Sequence, residues 1–210
     1  MPSKRRTPIR LRIPFYRQHY DFTCGPASLM MAMHYLQRDI PLTKDLEIDI
    51  WREGNMVEVY GTSRYGIAYS AAIRGFGVRV TSNTAGIDFV GKLTPPVNFD
   101  AQVLKLHFYE RRARCRRLGV EERRRVISAN VVYDSLLSGR IPLVMTNASL
   151  FGEEDLPHWV VVAGMDDEFI YFNNPLDANP RDRKYSLSAL QEVVGYKGEQ
   201  FMVEIWKNER

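Results

Sequence analysis

Apolar and polar positions divide the chain into a first half with helical spacing and a second half of short apolar runs. After an extended basic arm over residues 1–15, the stretch GPASLMMAMHYLQ places Pro26 in a first turn and follows it with good helix formers. It predicts a helix over 25–37 with Cys24 at its N-terminus. Residues 41–60 are mixed and end in the short run Met56-Val57-Glu58-Val59-Tyr60. A second helix is expected over 63–74, stopped by Gly75, before the alternation of 77–80 begins a strand. Pro95-Pro96 marks a break ahead of a third helix at 100–118, with Ala101, Leu104, Phe108, Cys115 and Leu118 at helical spacing and Arg111 interrupting the stripe. A fourth helix is read over 121–138, closed by Gly139.

The remainder is strand-rich. Residues 141–146, 159–163 and 168–172 favour β structure, the last two joined by a turn at Asp166-Asp167. A short helix at 186–194 and a strand at 200–206 follow. Helices first and an antiparallel sheet second is an α+β layout, in which groups from the two halves meet across a cleft.

Composition narrows the class. With 210 residues, 45% of them hydrophobic, the chain has material for one domain and its core, which excludes general disorder. The 83–135 region is read as a helical basic insertion in that domain. No apolar run follows the basic N-terminus and none reaches bilayer length, so the expectation is a soluble, cytoplasmic protein without a membrane span. Two cysteines make no disulfide framework, and with four histidines and neither C-x-x-C nor H-E-x-x-H no metal or other cofactor is expected. The chemistry left is that of a metal-free thiol.

Cys24 is the candidate for it. A helix N-terminus offers unpaired backbone N–H groups and the positive end of the helix dipole, and both favour thiolate. Gln18, six residues earlier, is close enough for its amide to join the Cys24 backbone N–H as donor to an oxyanion. A base must come from elsewhere. His34 lies ten residues along the helix, about 15 Å away. His19 would have to displace Gln18, and His107 falls in the insertion. His158 opens the strand His158-Trp159-Val160-Val161-Val162, and the next strand ends in Asn173-Asn174-Pro175, where an amide can orient the imidazole. Asn174 before a proline also reads as a simple turn former. Cys115, on the apolar stripe, is read as packing.

The segments RQHYDFTCGPASL and HWVVVAGMDDEFIYFNNP resemble the double-glycine leader peptidases, the bacteriocin-processing family of papain-like cysteine peptidases. The resemblance covers residues 14–40 and 139–176. It implies a papain-like fold, with Cys24 as nucleophile, His158 as general base and acid, Gln18 in the oxyanion hole and Asn174 as orienting group. The family pattern has Asp at the positions of Asn174 and Thr23, whereas papain itself uses Asn as third member. Asn173 and Asp177 stay open as alternatives for that role. No ATP-binding cassette is present, so the resemblance implies a free-standing relative.

The expected function is therefore a cysteine peptidase working through a Cys24 acyl-enzyme. A thiol acyltransferase or transpeptidase of the same fold shares these residues, and a catalytically silent peptide-binding module is the alternative from another class. Nine basic residues between Lys105 and Arg125 face Glu110, Glu121 and Glu122. They read as the solvated face of a helix, or as a docking surface for an acidic segment of a peptide partner; nucleic-acid-binding motifs are absent.

Overall fold

A computed structural model describes residues 6–56, 59–92, 100–179 and 183–208. The Pro95-Pro96 break and the Val57-Glu58 part of the 56–60 run lie outside them. The first expected helix is α1, Cys24–Leu36, and every residue of its first ten is buried, so it runs through the core. The mixed region at 41–60, for which no element was expected, contains α2, Lys44–Gly54. Thr43 caps it by accepting from the Leu46 N–H. Helix α3, Arg64–Ala72, starts at the Ser63 cap, and the chain leaves it through Gly75 at φ 84°, a backbone region that favours glycine. Helix α4, Ala101–Arg117, is capped by the Asp100 carboxylate. Leu104, Phe108 and Cys115 of its stripe are buried, while Ala101 and Leu118 at the ends are exposed.

The fourth helix corrects the sequence reading. Glu121–Arg124 form a strand, and the helix that follows, α5, covers only Ala129–Leu137 before Gly139 at φ 71°. Glu and Arg are good helix formers, but here the backbone finds its partner in a neighbouring strand, and tertiary pairing overrides local propensity.

In chain order the strands are β1 (Ile9–Arg10), β2 (Phe76–Ser82), β3 (Glu121–Arg124), β4 (Ile141–Asn147), β5 (Pro157–Met165), β6 (Phe169–Asn173), β7 (Arg183–Ser186) and β8 (Phe201–Lys207). They form one sheet in the order β3-β2-β8-β4-β5-β6-β7, with β1 paired to β5. Only β2–β3 is a parallel pair; the others are antiparallel. The helix expected at 186–194 is a 3-10 turn, Leu187–Ala189, running into the short α6, Leu190–Val193.

Helices cover both faces of this sheet. Leu143, Met145, Trp159, Val161 and Val203 join α1, α3 and α4 in one cluster. Val144, Val160, Val162 and Met202 join Val132 and Leu136 of α5 and Leu190 of α6 in the other. A strand buried on both sides has no polar face, which is why β5 reads Trp-Val-Val-Val-Ala rather than alternating. Each such fully buried aliphatic side chain contributes about 1.5–3 kcal/mol of transfer free energy.

The N-terminal arm lies along the sheet. Ile9 and Arg10 pair with Met165 and Gly164, and the Asn173 Nδ2 donates to the Ile13 carbonyl at 3.1 Å. The arm therefore delivers residues 16–23 to the end of the sheet where β5 begins and β6 ends.

Candidate active site

Three segments meet at that end: the loop before α1, the start of β5 and the turn after β6. Cys24 is the first residue of α1, and Trp159 ties the helix down from β5. The Trp159 carbonyl accepts from Ser28 Oγ at 3.0 Å, and its indole N–H donates to the Thr62 carbonyl at 3.0 Å. Gly25 is needed for this closeness, since a Cβ there would lie 3.1 Å from Thr62 Cβ and 3.4 Å from Trp159 Cδ1.

The thiol is buried, with 7% of Cys24 exposed. Burial pushes its pKa up, against hydrogen bonds from the backbone N–H groups of Trp159, Gly25 and Cys24 itself. The helix terminus supplies the donors expected from sequence, but the desolvation that comes with core packing outweighs them. The balance of these effects favours the thiol form.

His158 precedes Trp159 and is also buried. Its Nε2 lies 2.7 Å from Asn174 Oδ1. The amide orientation is fixed by two further partners: Oδ1 accepts the Leu176 N–H at 3.1 Å, and Nδ2 faces Asp177 Oδ1 at 3.4 Å. An oxygen at Oδ1 requires the proton on Nε2 and leaves the lone pair of the neutral ring on Nδ1. Phe151 packs edge-on against the imidazole, ring centres 5.5 Å apart. Burial lowers the His158 pKa from 6.5 to about 4, against the Asn174 hydrogen bond and the Asp177 charge. Among the described residues no hydrogen bond joins Cys24 to His158. In unliganded sites such contacts are often long and tighten when substrate binds.

This neutral histidine carries a stability consequence. Between about pH 6.5 and 4 the unfolded chain binds a proton that the folded protein refuses, so stability falls as pH is lowered through that window. The shift corresponds to about 3 kcal/mol. Denaturant unfolding between pH 6.5 and 4.5 is expected to give a shallower pH dependence in His158→Gln than in the wild type; equal slopes would assign the loss to other groups.

Gln18 is buried beside the same turn, its backbone N–H donating to the Pro175 carbonyl at 3.0 Å. One proton of its side-chain amide goes to the Tyr20 carbonyl, with Nε2 at 2.8 Å, and the second is left for another acceptor. Of the alternatives for the third position, Asn173 is occupied at Ile13, and Asp177 reaches Asn174 while pairing with the Arg183 guanidinium. Asn174 is the one that touches His158. The sequence reading missed Phe151 and Arg183, which nothing in the linear pattern ties to residue 158. Cys115 is fully buried, its thiol directed at the Tyr65 carbonyl at 3.3 Å and pushed up to about 12 by burial. His34 is bonded to the Ile40 carbonyl at 2.6 Å.

With this geometry in view, a model of the Peptidase_C39 like family matches residues 13–193. The chain belongs to that family. Its fold is that of a candidate C39-like peptidase from Bacillus anthracis, with a TM-score of 0.59 at 15% identity over 98% of this chain and 100% of that one. A double glycine motif protease from an AMS/PCAT transporter, solved with its leader peptide, aligns at a TM-score of 0.49 and 16% identity over 95% and 98% of the two chains. No curated protein matches. The α+β, papain-like fold expected from sequence is thus borne out, with the cysteine at a helix N-terminus packed on an antiparallel sheet that carries the histidine.

Two further expectations for this C39-like chain meet the structure here. Among the described residues no helix is long and apolar enough to cross a membrane. In α4, Arg112 and Arg116 bind Glu122, Arg114 binds Glu110, and Arg111 stacks on Tyr69. These internal pairings engage four of the five arginines of the helix, leaving an acidic docking partner there without support.

Proposed function

We propose that the protein is a cysteine peptidase that cleaves a peptide bond through an acyl-enzyme on Cys24. The observation that carries this is a cysteine opening a helix that Ser28 ties to the Trp159 carbonyl, next in the chain to an imidazole whose tautomer Asn174 fixes.

The steps follow from those states. Cys24 attacks the scissile carbonyl as its proton passes to His158 Nδ1, and the resulting oxyanion accepts from the Cys24 N–H and the free proton of Gln18 Nε2. Collapse expels the amine, which takes the proton from Nδ1. Water then attacks the thioester, gives its proton to the same nitrogen, and the carboxylic acid product leaves as the thiol is restored. Because burial disfavours both charges, we read the resting pair as thiol and neutral imidazole, with proton transfer coupled to attack. A cytoplasmic location, which keeps thiols reduced, suits this chemistry. We read residues 83–135 as an insertion that buttresses the sheet through α4 and β3.

A peptide-based electrophile followed by peptide mapping tests the reading. The adduct is expected on Cys24 and not on Cys115; equal labelling, or none at Cys24, would reject it.

Asn174 gives a second measurement. Asn174→Ala frees the ring to rotate and should lower kcat/KM by about tenfold or more. Asn174→Asp adds a negative charge beside Nε2, raises the His158 pKa, and should move the acid limb of the kcat/KM profile to higher pH. A profile unchanged in both variants would leave Asn174 as a turn residue only.

A further inference from the structure

The segment from Tyr16 to Thr23, which carries Gln18 and leads into Cys24, is held from outside by one carboxylate. Glu47 belongs to α2, a surface helix that buries little else, yet its own side chain is wholly enclosed. An isolated buried carboxylate is strongly unfavourable and persists only where donors surround it. Here four do. Oε1 accepts the His19 N–H at 2.9 Å and lies against the Thr23 hydroxyl, whose proton is shared with the Tyr20 carbonyl at 2.8 Å; Oε2 accepts the Tyr16 hydroxyl at 2.9 Å and meets His19 Nδ1 at 2.8 Å. All four come from residues 16–23, and two of the donor residues are chain neighbours of the proposed catalytic pair: His19 follows Gln18 and Thr23 precedes Cys24.

The Thr23 contact has a particular effect on α1. Thr23 stands at the N-cap, where a threonine hydroxyl ordinarily accepts from the second or third backbone N–H of the helix, but it makes no such bond. Pro26 occupies the third position and has no N–H, so Gly25 is the one cap target. The Thr23 side chain is turned away from the helix, held between Glu47 Oε1 and the Tyr20 backbone, so no side-chain cap takes the Gly25 N–H, which stays available next to Cys24.

Resting on the peptidase reading above, we infer that Glu47 is a positioning residue for the Gln18–Cys24 site: it fixes the oxyanion loop through His19 and withholds the Thr23 cap from the helix end that serves the sulfur. Glu47 touches neither substrate nor reacting atoms, so its loss affects turnover and thiol reactivity and leaves substrate affinity in place.

The test compares Glu47→Gln with the wild type, alone and in a Gln18→Ala background. Gln keeps the shape but turns an NH2 group toward donors. Glu47→Gln is expected to lower kcat about tenfold with KM within about twofold, to slow iodoacetamide alkylation of Cys24 several-fold, and to cost less than about twofold more once Gln18 is Ala. Thr23→Val, which leaves the carboxylate intact and removes the hydroxyl that links Glu47 to the Tyr20 backbone, should lower kcat and the alkylation rate in the same direction; it carries the test if Glu47→Gln unfolds. Equal losses in both backgrounds, or an unchanged alkylation rate in both variants, overturns the inference. Should the wild type turn over no peptide, the peptidase reading fails, while the alkylation rates still decide whether Glu47 controls the Cys24 thiol.

Discussion

Cys24→Ala is expected to abolish peptide cleavage while the protein stays folded, because no other group in the site can form the acyl bond. The substitution removes a single sulfur from a site already supported by Trp159, Ser28 and Thr62, so the cost in stability is that of a small cavity, about 1 kcal/mol. Cys115→Ala is the matched control. Its sulfur is bonded to the Tyr65 carbonyl deep under α4, so that variant should lose a similar amount of stability and keep its kcat. Turnover measured on both proteins, beside their unfolding midpoints, separates the roles; cleavage persisting in folded Cys24→Ala would exclude the thioester route.

The next largest effect is expected at Gln18. Its amide donates one proton to the Tyr20 carbonyl, which clamps the side chain; in the peptidase reading proposed above, the other serves the developing oxyanion. Since that oxygen carries full charge only in the tetrahedral state, Gln18→Ala should lower kcat by roughly 10²–10³ with KM little altered. The backbone bond from Gln18 to Pro175 does not involve the side chain, so the loop keeps its place. An unaltered kcat with a substrate whose acylation limits turnover would remove Gln18 from the oxyanion hole.

These residues could be named in advance because each sits at a legible boundary. Cys24 opens a run of helix formers behind Pro26, and His158 opens an unbroken apolar strand; such edges survive in the linear pattern. Burial does not. The helix end promised a lowered thiol pKa, but the same residues that make α1 read so clearly as a helix also enclose it, and desolvation reverses the sign. Elements made by partners rather than by pattern were missed. The strand β3, with sequence Glu-Glu-Arg-Arg, exists because the edge of β2 accepts it, and β1 and β7 are short pieces defined by pairing. Helix α2 was hidden because its apolar stripe is short, Leu46 and Ile50 one turn apart among charged residues. Glu47 had no signature at all, since its four donors are brought together by a loop and not by a spacing.

The position of β8 has a consequence during synthesis. It follows every other strand in the chain, yet in the sheet it lies between β2 and β4 and pairs with both. Until residues 201–207 leave the ribosome, the β2–β3 ribbon has no neighbour to join it to β4 and the rest of the sheet. The Cys24 thiol is translated early and the strand that joins β2 to β4 late, so a nascent chain carries the thiol long before the sheet under its helix is complete, and a chain stopped short of residue 201 is left with two exposed strand edges instead of a trimmed terminus.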